Sequence, residues 1–424
     1  MRILILSQWN PPEPASIPHA MARSLIQRGH QVLSITGFPN YPSGKIYPGY
    51  RQRLWRREEI EGVPVLRLPL YPDHSRSGVR RALNFLSFAA SASLLGPILS
   101  GPADVMWVYH PPLTIGIPAW WIGLLRRVPF VYDIKDMWPE TLVATDMMRS
   151  RTALAMLSRL ARFVYARAAA ITVVSPGFNR NLIGKGVPAD KIYVIPNWAD
   201  EHVYRPVPPD QALADKYGFN GRFNVVFAGY MGFAQGLDTV IAAAQQLSDL
   251  PEVQFTLIGD GVDEARLQQM VIKKQVGNVR FLGRQPAERM PHFFALADVL
   301  LVHLKRDPLF EITIPSKTLA YMACERPILM AVAGDAADVV RDTGAGLTCP
   351  PQDAKALATA VRTLYTMSVA ERERMGKAGR EAFLNHYTRR VLMDRYEALF
   401  ENIVRAKRSE HTDGMNSKRG RSSL

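Results

Sequence analysis

Cysteine is nearly absent: Cys324 and Cys349 are the only two in 424 residues. Two cysteines give neither a disulfide framework nor a cysteine-rich zinc site, and suit a reducing cytosolic compartment. No Asp-x-Asp pair occurs, so closely spaced carboxylates holding a divalent metal are not expected. The P-loop pattern is missing, because Gly184-Lys185-Gly186 lacks the leading glycine and the hydroxyl residue that follows. There is no Gly-x-Ser-x-Gly elbow and no His-Glu-x-x-His, which argues against hydrolase and zincin chemistry. Gly259-Asp260-Gly261 lacks the third glycine of a dinucleotide fingerprint. The start, MRILILSQWNPP, has no basic segment, long apolar core and cleavage site, and reads as a first strand rather than a leader. Neither apolar stretch, in 76–100 or 113–127, reads as long or clean enough to span a bilayer, which takes about 20 predominantly apolar residues.

What is present is a globular composition, 47% hydrophobic and 21% charged, over a length that suits two domains. A net charge of +14 calls for an acidic partner: nucleic acid, an anionic membrane or a phosphorylated substrate. Nucleic acid is the weakest of these, since the basic residues show no repeated aromatic interleaving. Part of the charge lies from Arg405 to the end, where six basic and two acidic residues without apolar periodicity predict a disordered tail. Another part flanks the apolar segments. Arg76, Arg80 and Arg81 precede one, and Arg126 and Arg127 close the other, which contains Trp120 and Trp121. Both segments fit helices lying on a membrane surface, with Phe85 and Leu86 facing lipid, and both equally fit core helices of an α/β domain.

Short β-rich runs alternate with helical patterns. RILILS, QVLSIT, DVMWVY, PFVYDI, AAITVVS and KIYVIP fall in the first half, and a helix over 20–27 is closed by Gly29. A proline-rich break at 196–211 reads as a linker. FNVVFAG, a helix near 237–247, VQFTLIG, NVRFLG, ADVLLV and PILMAV follow. This is the alternation of βαβ units, so the fold class is α/β, with two tandem doubly wound domains whose strand ends are expected to face each other across a cleft. The expected divisions are 1–198, 199–385, a C-terminal helix over 386–404 crossing back to the first domain, and the tail over 405–424.

Phosphate held by helix N-termini remains. In IPSKTLAYMAC, Pro315 stops the preceding segment and Ser316 reads as an N-cap. The backbone N–H groups of Lys317 and Thr318, with the Lys317 ammonium, would make an anion site. FAGYMGFAQGLDTVI gives a second candidate, a strand ending at Gly229 and then Gly232 and Gly236 before a helix. Alone, each loop also fits an ordinary βα turn, and Lys317 a solvated surface lysine.

The segments GFPNYPSGK (37–45), HPPLTIGIPA (110–119), DIKDMWPET (133–141), VIPNWAD (194–200), GYMGFAQGLDT (229–239), LIGDG (257–261), FLGRQP (281–286) and PSKTLAYMACERPI (315–328) together resemble the retaining glycosyltransferases of family four, which have the Rossmann-like GT-B fold. The chain is most similar to their exopolysaccharide branch, which includes colanic acid and O-antigen fucosamine transferases. The resemblance implies a nucleotide-sugar donor in the second domain, a UDP-sugar ahead of a GDP-sugar. Gly283 and Arg284 would lie by the base, Gly229, Gly232, Ser316, Lys317 and Thr318 by the diphosphate, and Glu311 by the donor sugar. It implies acceptor binding in the first domain, with Pro12, Glu13 and Ser16 closing over the diphosphate and Asp136 and Glu140 near the acceptor. Lys317 would stabilise the leaving diphosphate, so no metal or other cofactor is expected, and transfer would proceed with retention. The implied acceptor is a polyprenyl-diphosphate-linked saccharide, met at the inner face of the cytoplasmic membrane. Asp136 would orient the acceptor hydroxyl, or else cap the turn beside Trp138 and Pro139. His110 would face the cleft or simply pack, and His30 reads as a turn residue without chemistry. The chain departs from the family at Tyr230 and Gln235, where many members carry cations, at Ala320, where a ribose-binding glutamate is common, and at Glu325, where glycine is usual. These departures keep open a non-catalytic scaffold of a polysaccharide assembly complex, and the fold shape keeps open a sugar-nucleotide epimerase.

Overall fold

The computed structural model describes residues 1–75, 77–145 and 147–421, with side chains described through Ser409. Arg76, one of the arginines expected before the first apolar segment, lies outside the described residues. The chain forms two compact units, one of Met1–Val174, Asn179–Ile195 and Met393–Leu424, the other of Ser175–Phe178 and Pro196–Leu392.

The first unit is built on eight strands: β1 (Arg2–Leu6), β2 (Gln31–Gly37), β3 (Arg56–Ile60), β4 (Val63–Leu68), β5 (Val105–His110), β6 (Phe130–Ile134), β7 (Ala170–Val173) and β8 (Ile192–Val194). Their order is β3-β4-β2-β1-β5-β6-β7-β8. All neighbours are parallel except β3 and β4, a hairpin turned by Glu61 and Gly62, both at positive φ. This hairpin escaped the sequence reading. RREEI is charged on both faces, which suits an edge strand and hides its periodicity.

The second unit carries β9 (Phe223–Ala228), β10 (Val253–Ile258), β11 (Val279–Phe281), β12 (Val299–His303), β13 (Ile328–Ala331) and β14 (Gly346–Thr348), all parallel, in the order β11-β10-β9-β12-β13-β14. Every residue of β9 is buried, as a central strand covered on both faces requires. Strand order reverses beside β9, the place where doubly wound sheets leave a crevice for ligand at their carboxyl ends.

Two expectations change. The Gly78–Leu99 helix is long and apolar enough, by length and composition, to cross a membrane, although a third of its apolar window is buried. Its buried side holds Asn84, Phe88, Ala89, Ala92, Gly96 and Pro97, and packs on β2, β4 and the Gly116–Arg126 helix. The tail expected to be disordered from Arg405 instead continues the last helix, Arg389–Arg421. No proline interrupts it, Glu401 pairs with Arg405 one turn on, and Lys407 donates to the Arg127 carbonyl. From Met393 this helix belongs to the first unit. Tyr396 donates to the buried Asp133 carboxylate at 2.9 Å, and Glu397 pairs with His30 at 2.6 Å. His30 therefore anchors the C-terminal helix rather than only joining helix to strand.

Candidate functional site

In the second unit the chemistry gathers where loops leave β9, β10, β11 and β12. Gly229 N–H donates to the Ile258 carbonyl at 2.9 Å, Met231 N–H to Asp260 at 2.7 Å, and Gly259 N–H to Gly283 at 2.9 Å. The three loops thus lie edge to edge as a backbone platform. Gly259 is required there: at φ 140°, a Cβ would stand 2.0 Å from the Gly229 carbonyl oxygen. Gly283 begins the third loop at positive φ, and Arg284 is exposed and pairs loosely with Asp260 at 3.8 Å.

Lys317 reaches this platform from the eight-residue helix Ser316–Ala323. Its Nζ lies 3.7 Å from the centre of the Phe227 ring and donates to Gln235 Oε1 at 3.2 Å. It also crowds Gly229, where a Cβ would meet Nζ at 3.0 Å. No described carboxylate pairs with it. Burial without a counter-charge pulls its pKa from 10.5 down to about 7. The N-cap is Pro315, not Ser316, because the chain is still extended at Pro315; Ser316 is the first helical residue. Thr318 N–H, expected to be free, is spent on the Pro315 carbonyl at 2.9 Å. Ser316 and Lys317 N–H groups remain, and the fully buried Thr318 Oγ1 has no described partner. Gln235 is held in turn by His303, whose Nδ1 lies 2.6 Å from the Gln235 carbonyl. Gly232 opens the short turn before Gln235. Glu311 ends the Pro308–Glu311 turn of helix with its side chain exposed and, among the described residues, no ion pair. Ala320 is buried.

In the first unit several of the expected acceptor residues also hold the structure together. Glu13 is 3% exposed, and its carboxylate accepts N–H donors from Asn10 at 3.0 Å, Asn40 at 2.8 Å and Tyr41 at 2.8 Å. It clamps the loop after β1 to the loop after β2. Burial pushes its carboxyl up to about 7, against the pull of those donors and of Arg67. Pro12 and Ser16 are exposed beside it. Asp136 accepts from Thr141 Oγ1 and, at 3.3 Å, from Trp138 Nε1, and burial raises its pKa. These bonds cap the turn and fix the Trp138 indole. Glu140 pairs with Lys185 at 2.5 Å. His110 is fully buried with neither ring nitrogen partnered among the described residues, and burial lowers its pKa to about 3. It is a neutral ring packed under Trp138 and Tyr132.

Sequence reasoning missed a row of rings around these residues. Trp9 lies 5.3 Å from Tyr41 and 6.3 Å from both His74 and Phe85, and Phe85 lies 6.1 Å from Trp138. The Trp9 Nε1, His74 Nε2 and both Asn10 amide atoms are buried without a described partner. Buried Asn84 ties the row together, accepting from Gln8 at 2.7 Å and donating to Asn40 at 3.1 Å and to the Tyr71 carbonyl at 2.7 Å. Phe85 thus faces this row instead of lipid. Its members come from five separate segments, so no local pattern announces them. Half-buried rings beside unpaired polar atoms suit a ligand with apolar faces and hydroxyl edges.

Residues 15–198 match the family described as glycosyl transferase 4-like domain, and residues 210–382 match glycosyl transferases group 1. A probable glycosyltransferase of Pseudomonas aeruginosa, WbjE, is 26% identical over 65% of this chain and 68% of its own length. A putative colanic acid biosynthesis glycosyl transferase of Escherichia coli, WcaI, is 26% identical over 76% of this chain and 81% of its own. Among solved structures, Anabaena HepE with UDP and glucose matches 95% of this chain and 99% of its own at a TM-score of 0.71 and 17% identity. The two parallel-sheet units and this likeness show the GT-B fold.

Proposed function

The chain belongs to the glycosyltransferases, a glycosyl transferase 4-like domain followed by a group 1 domain, and from that premise we propose that it moves a sugar from a UDP-sugar onto a lipid-linked saccharide, with retention, in exopolysaccharide or O-antigen biosynthesis. The observation that carries the donor half is Lys317, an enclosed ammonium with no described counter-charge, beside free N–H groups at a helix start and a glycine-bearing loop. Such a group is prepared for an anion that arrives later. A diphosphate fits, and the likeness to HepE, which was solved with UDP and with UDP-glucose, favours uridine over guanosine. The curated relatives, one named for colanic acid biosynthesis, favour a polysaccharide acceptor.

In this reading the diphosphate lies along Gly229, Gly232 and the Ser316–Lys317 N–H groups, with the base toward Gly283 and Arg284. The exposed Glu311 carboxylate accepts from hydroxyls of the donor sugar. The bond between the anomeric carbon and the phosphate oxygen breaks, and Lys317 holds the charge that grows on that oxygen. The acceptor hydroxyl adds to the same face of the sugar and gives its proton to the departing phosphate, which conserves configuration without an enzymic nucleophile. Lys317 supplies the charge for which other transferases use a metal. The saccharide acceptor lies against Trp9, Tyr41 and Trp138, whose faces stack on sugar C–H surfaces, with Asn10 and His74 toward its hydroxyls.

The test is transfer. Purified protein is given radiolabelled UDP-sugars one at a time with extracted lipid-linked saccharides. Label should enter the lipid fraction for one donor, Lys317→Met should abolish it, and NMR should show the donor's anomeric configuration retained. Failure to bind any nucleotide would favour the scaffold reading.

A further inference from the structure

We propose that the first unit docks on an anionic phospholipid bilayer through one face of the Gly78–Leu99 helix, the adjoining end of the Gly116–Arg126 helix, and the Leu54–Trp55 loop. The first helix presents Val79, Leu83, Leu86, Ala90, Leu94 and Ile98 to solvent, at steps of four, three, four, four and four residues. That spacing is one continuous stripe on a helix surface. Leu94 and Ile98 are 71% and 76% exposed, where a helix covering a soluble domain would carry charge. Ile122 packs against Gly96 on the buried side of this helix, so the second helix lies next to it, and that helix exposes Trp121, Leu124 and Leu125 on its own surface. At the far end Arg57 donates to the Leu99 carbonyl at 2.7 Å, which places exposed Leu54 and Trp55 beside the same edge.

Charge selects the occupant. Arg80 and Arg81 stand at the start of the stripe, Arg126 and Arg127 at the end of the second helix, and Arg51, Arg53 and Arg57 around the loop, where Arg56 is paired with Glu58 at 3.1 Å. From Gly78 to Arg127 the single acid is Asp104, which is taken by Arg2. A second copy of this chain meeting the face on a two-fold axis would set arginine against arginine. An apolar surface rimmed with cations, whose two helices carry no acid and whose loop carries Glu58 already paired with Arg56 and Arg67, matches lipid tails below anionic headgroups. The helix lies on the bilayer and does not cross it, because Asn84, Phe88 and Ala92 on its other side are committed to the core.

Phe85, next to Leu86 of the stripe, belongs to the ring row with Trp9, His74 and Trp138. A lipid-linked acceptor would then reach those rings without leaving the membrane. This consequence rests on the acceptor reading; the docking itself does not.

The experiment is flotation of the full chain with vesicles of phosphatidylcholine alone and with added phosphatidylglycerol. The protein should float with the anionic vesicles and be released by salt, which screens the arginines. The double substitution Leu94→Gln/Ile98→Gln should lower the partition coefficient by about tenfold or more, since several buried methylenes are lost. Arg126→Gln/Arg127→Gln should lose about tenfold on the anionic vesicles and little on neutral ones. Far-UV circular dichroism and UDP titration should be unchanged in both, which separates lost docking from lost folding. Equal flotation of all variants would overturn the proposal. So would absence of flotation, or a dimer by light scattering that the Leu94→Gln/Ile98→Gln protein no longer forms. Flotation needs no donor, so a failed UDP titration with intact flotation would sink the transferase reading and leave the docking standing.

Discussion

Lys317 should make nucleotide binding depend on pH in a way that can be computed in advance. In the free protein its ammonium lies over Phe227 and near Gln235 with no described carboxylate, and its pKa falls to about 7. A bound diphosphate restores a counter-charge and should return the pKa toward the ordinary value of about 10.5. Affinity then tracks the fraction of free protein already protonated. Between pH 7 and 8.5 that fraction drops from about one half to about one thirtieth, so the Kd for UDP should rise about 16-fold. The window avoids ionisation of the terminal phosphate near pH 6 and of the uracil ring at higher pH. Isothermal titration in buffers of different ionisation enthalpy should also show uptake of close to one proton per UDP at pH 8.5. Lys317→Met should bind UDP at least tenfold more weakly at pH 7, the loss of a charge-assisted hydrogen bond, with a Kd that no longer varies with pH. Stability carries an independent signature. The folded pKa lies below the unfolded one, so between about pH 7 and 10.5 the unfolded chain binds more protons and stability rises with pH. Lys317→Met should lose that rise. A wild-type Kd flat from pH 7 to 8.5 would refute the reasoning.

Glu13→Ala leaves the Asn10, Asn40 and Tyr41 N–H groups without their acceptor and should cost about 3 kcal/mol or more of stability in denaturant unfolding, with UDP affinity unchanged. Because its folded pKa of about 7 is raised above 4.5, its contribution falls as pH rises through that interval, and Glu13→Gln should flatten the slope. Glu325 holds φ 58° at the end of a helix, so Glu325→Gly should stabilise the protein by about 1 kcal/mol, read as a higher midpoint in denaturant. Gln235→Lys sets a second cation where the first now donates at 3.2 Å; the log Kd for UDP should then climb with pH more steeply than one proton explains, and an unchanged slope would show that the two side chains do not interact.

The parallel strands were legible because burial on both faces writes them as continuous apolar runs, FNVVFA and VMWVYH among them. The β3–β4 hairpin was not, because an edge strand need not be apolar on either face. Lys317 was legible because a proline, a small hydroxyl residue and a lysine before a short apolar run form a local signature. Its state was not, since the ring and amide that enclose it, Phe227 and Gln235, lie more than 80 residues earlier in the chain. Glu13 shows the opposite failure. A glutamate among prolines in an exposed-looking loop reads as ligand-binding, yet its oxygens are consumed by backbone 27 and 28 residues away. The ring row was illegible for the same reason, since a contact among five segments leaves no spacing to read.

The departures at Gln235 and Tyr230 look like losses only when counted as missing cations. In place, Gln235 offers Lys317 a neutral acceptor while His303 fixes the backbone behind it. A carboxylate there would lock Lys317 into an ion pair that a diphosphate must break. A second cation would raise the cost of protonating Lys317 before the donor arrives. The amide does neither, and leaves Lys317 with a pKa lowered by burial to about 7, which a bound anion would raise again. Tyr230, 57% exposed and bent over Gly232, adds an aromatic face at the rim of the same loop. If Lys317 holds the donor diphosphate, such a site would carry less fixed positive charge and a more responsive one, while retaining stabilisation for the anion that forms during transfer.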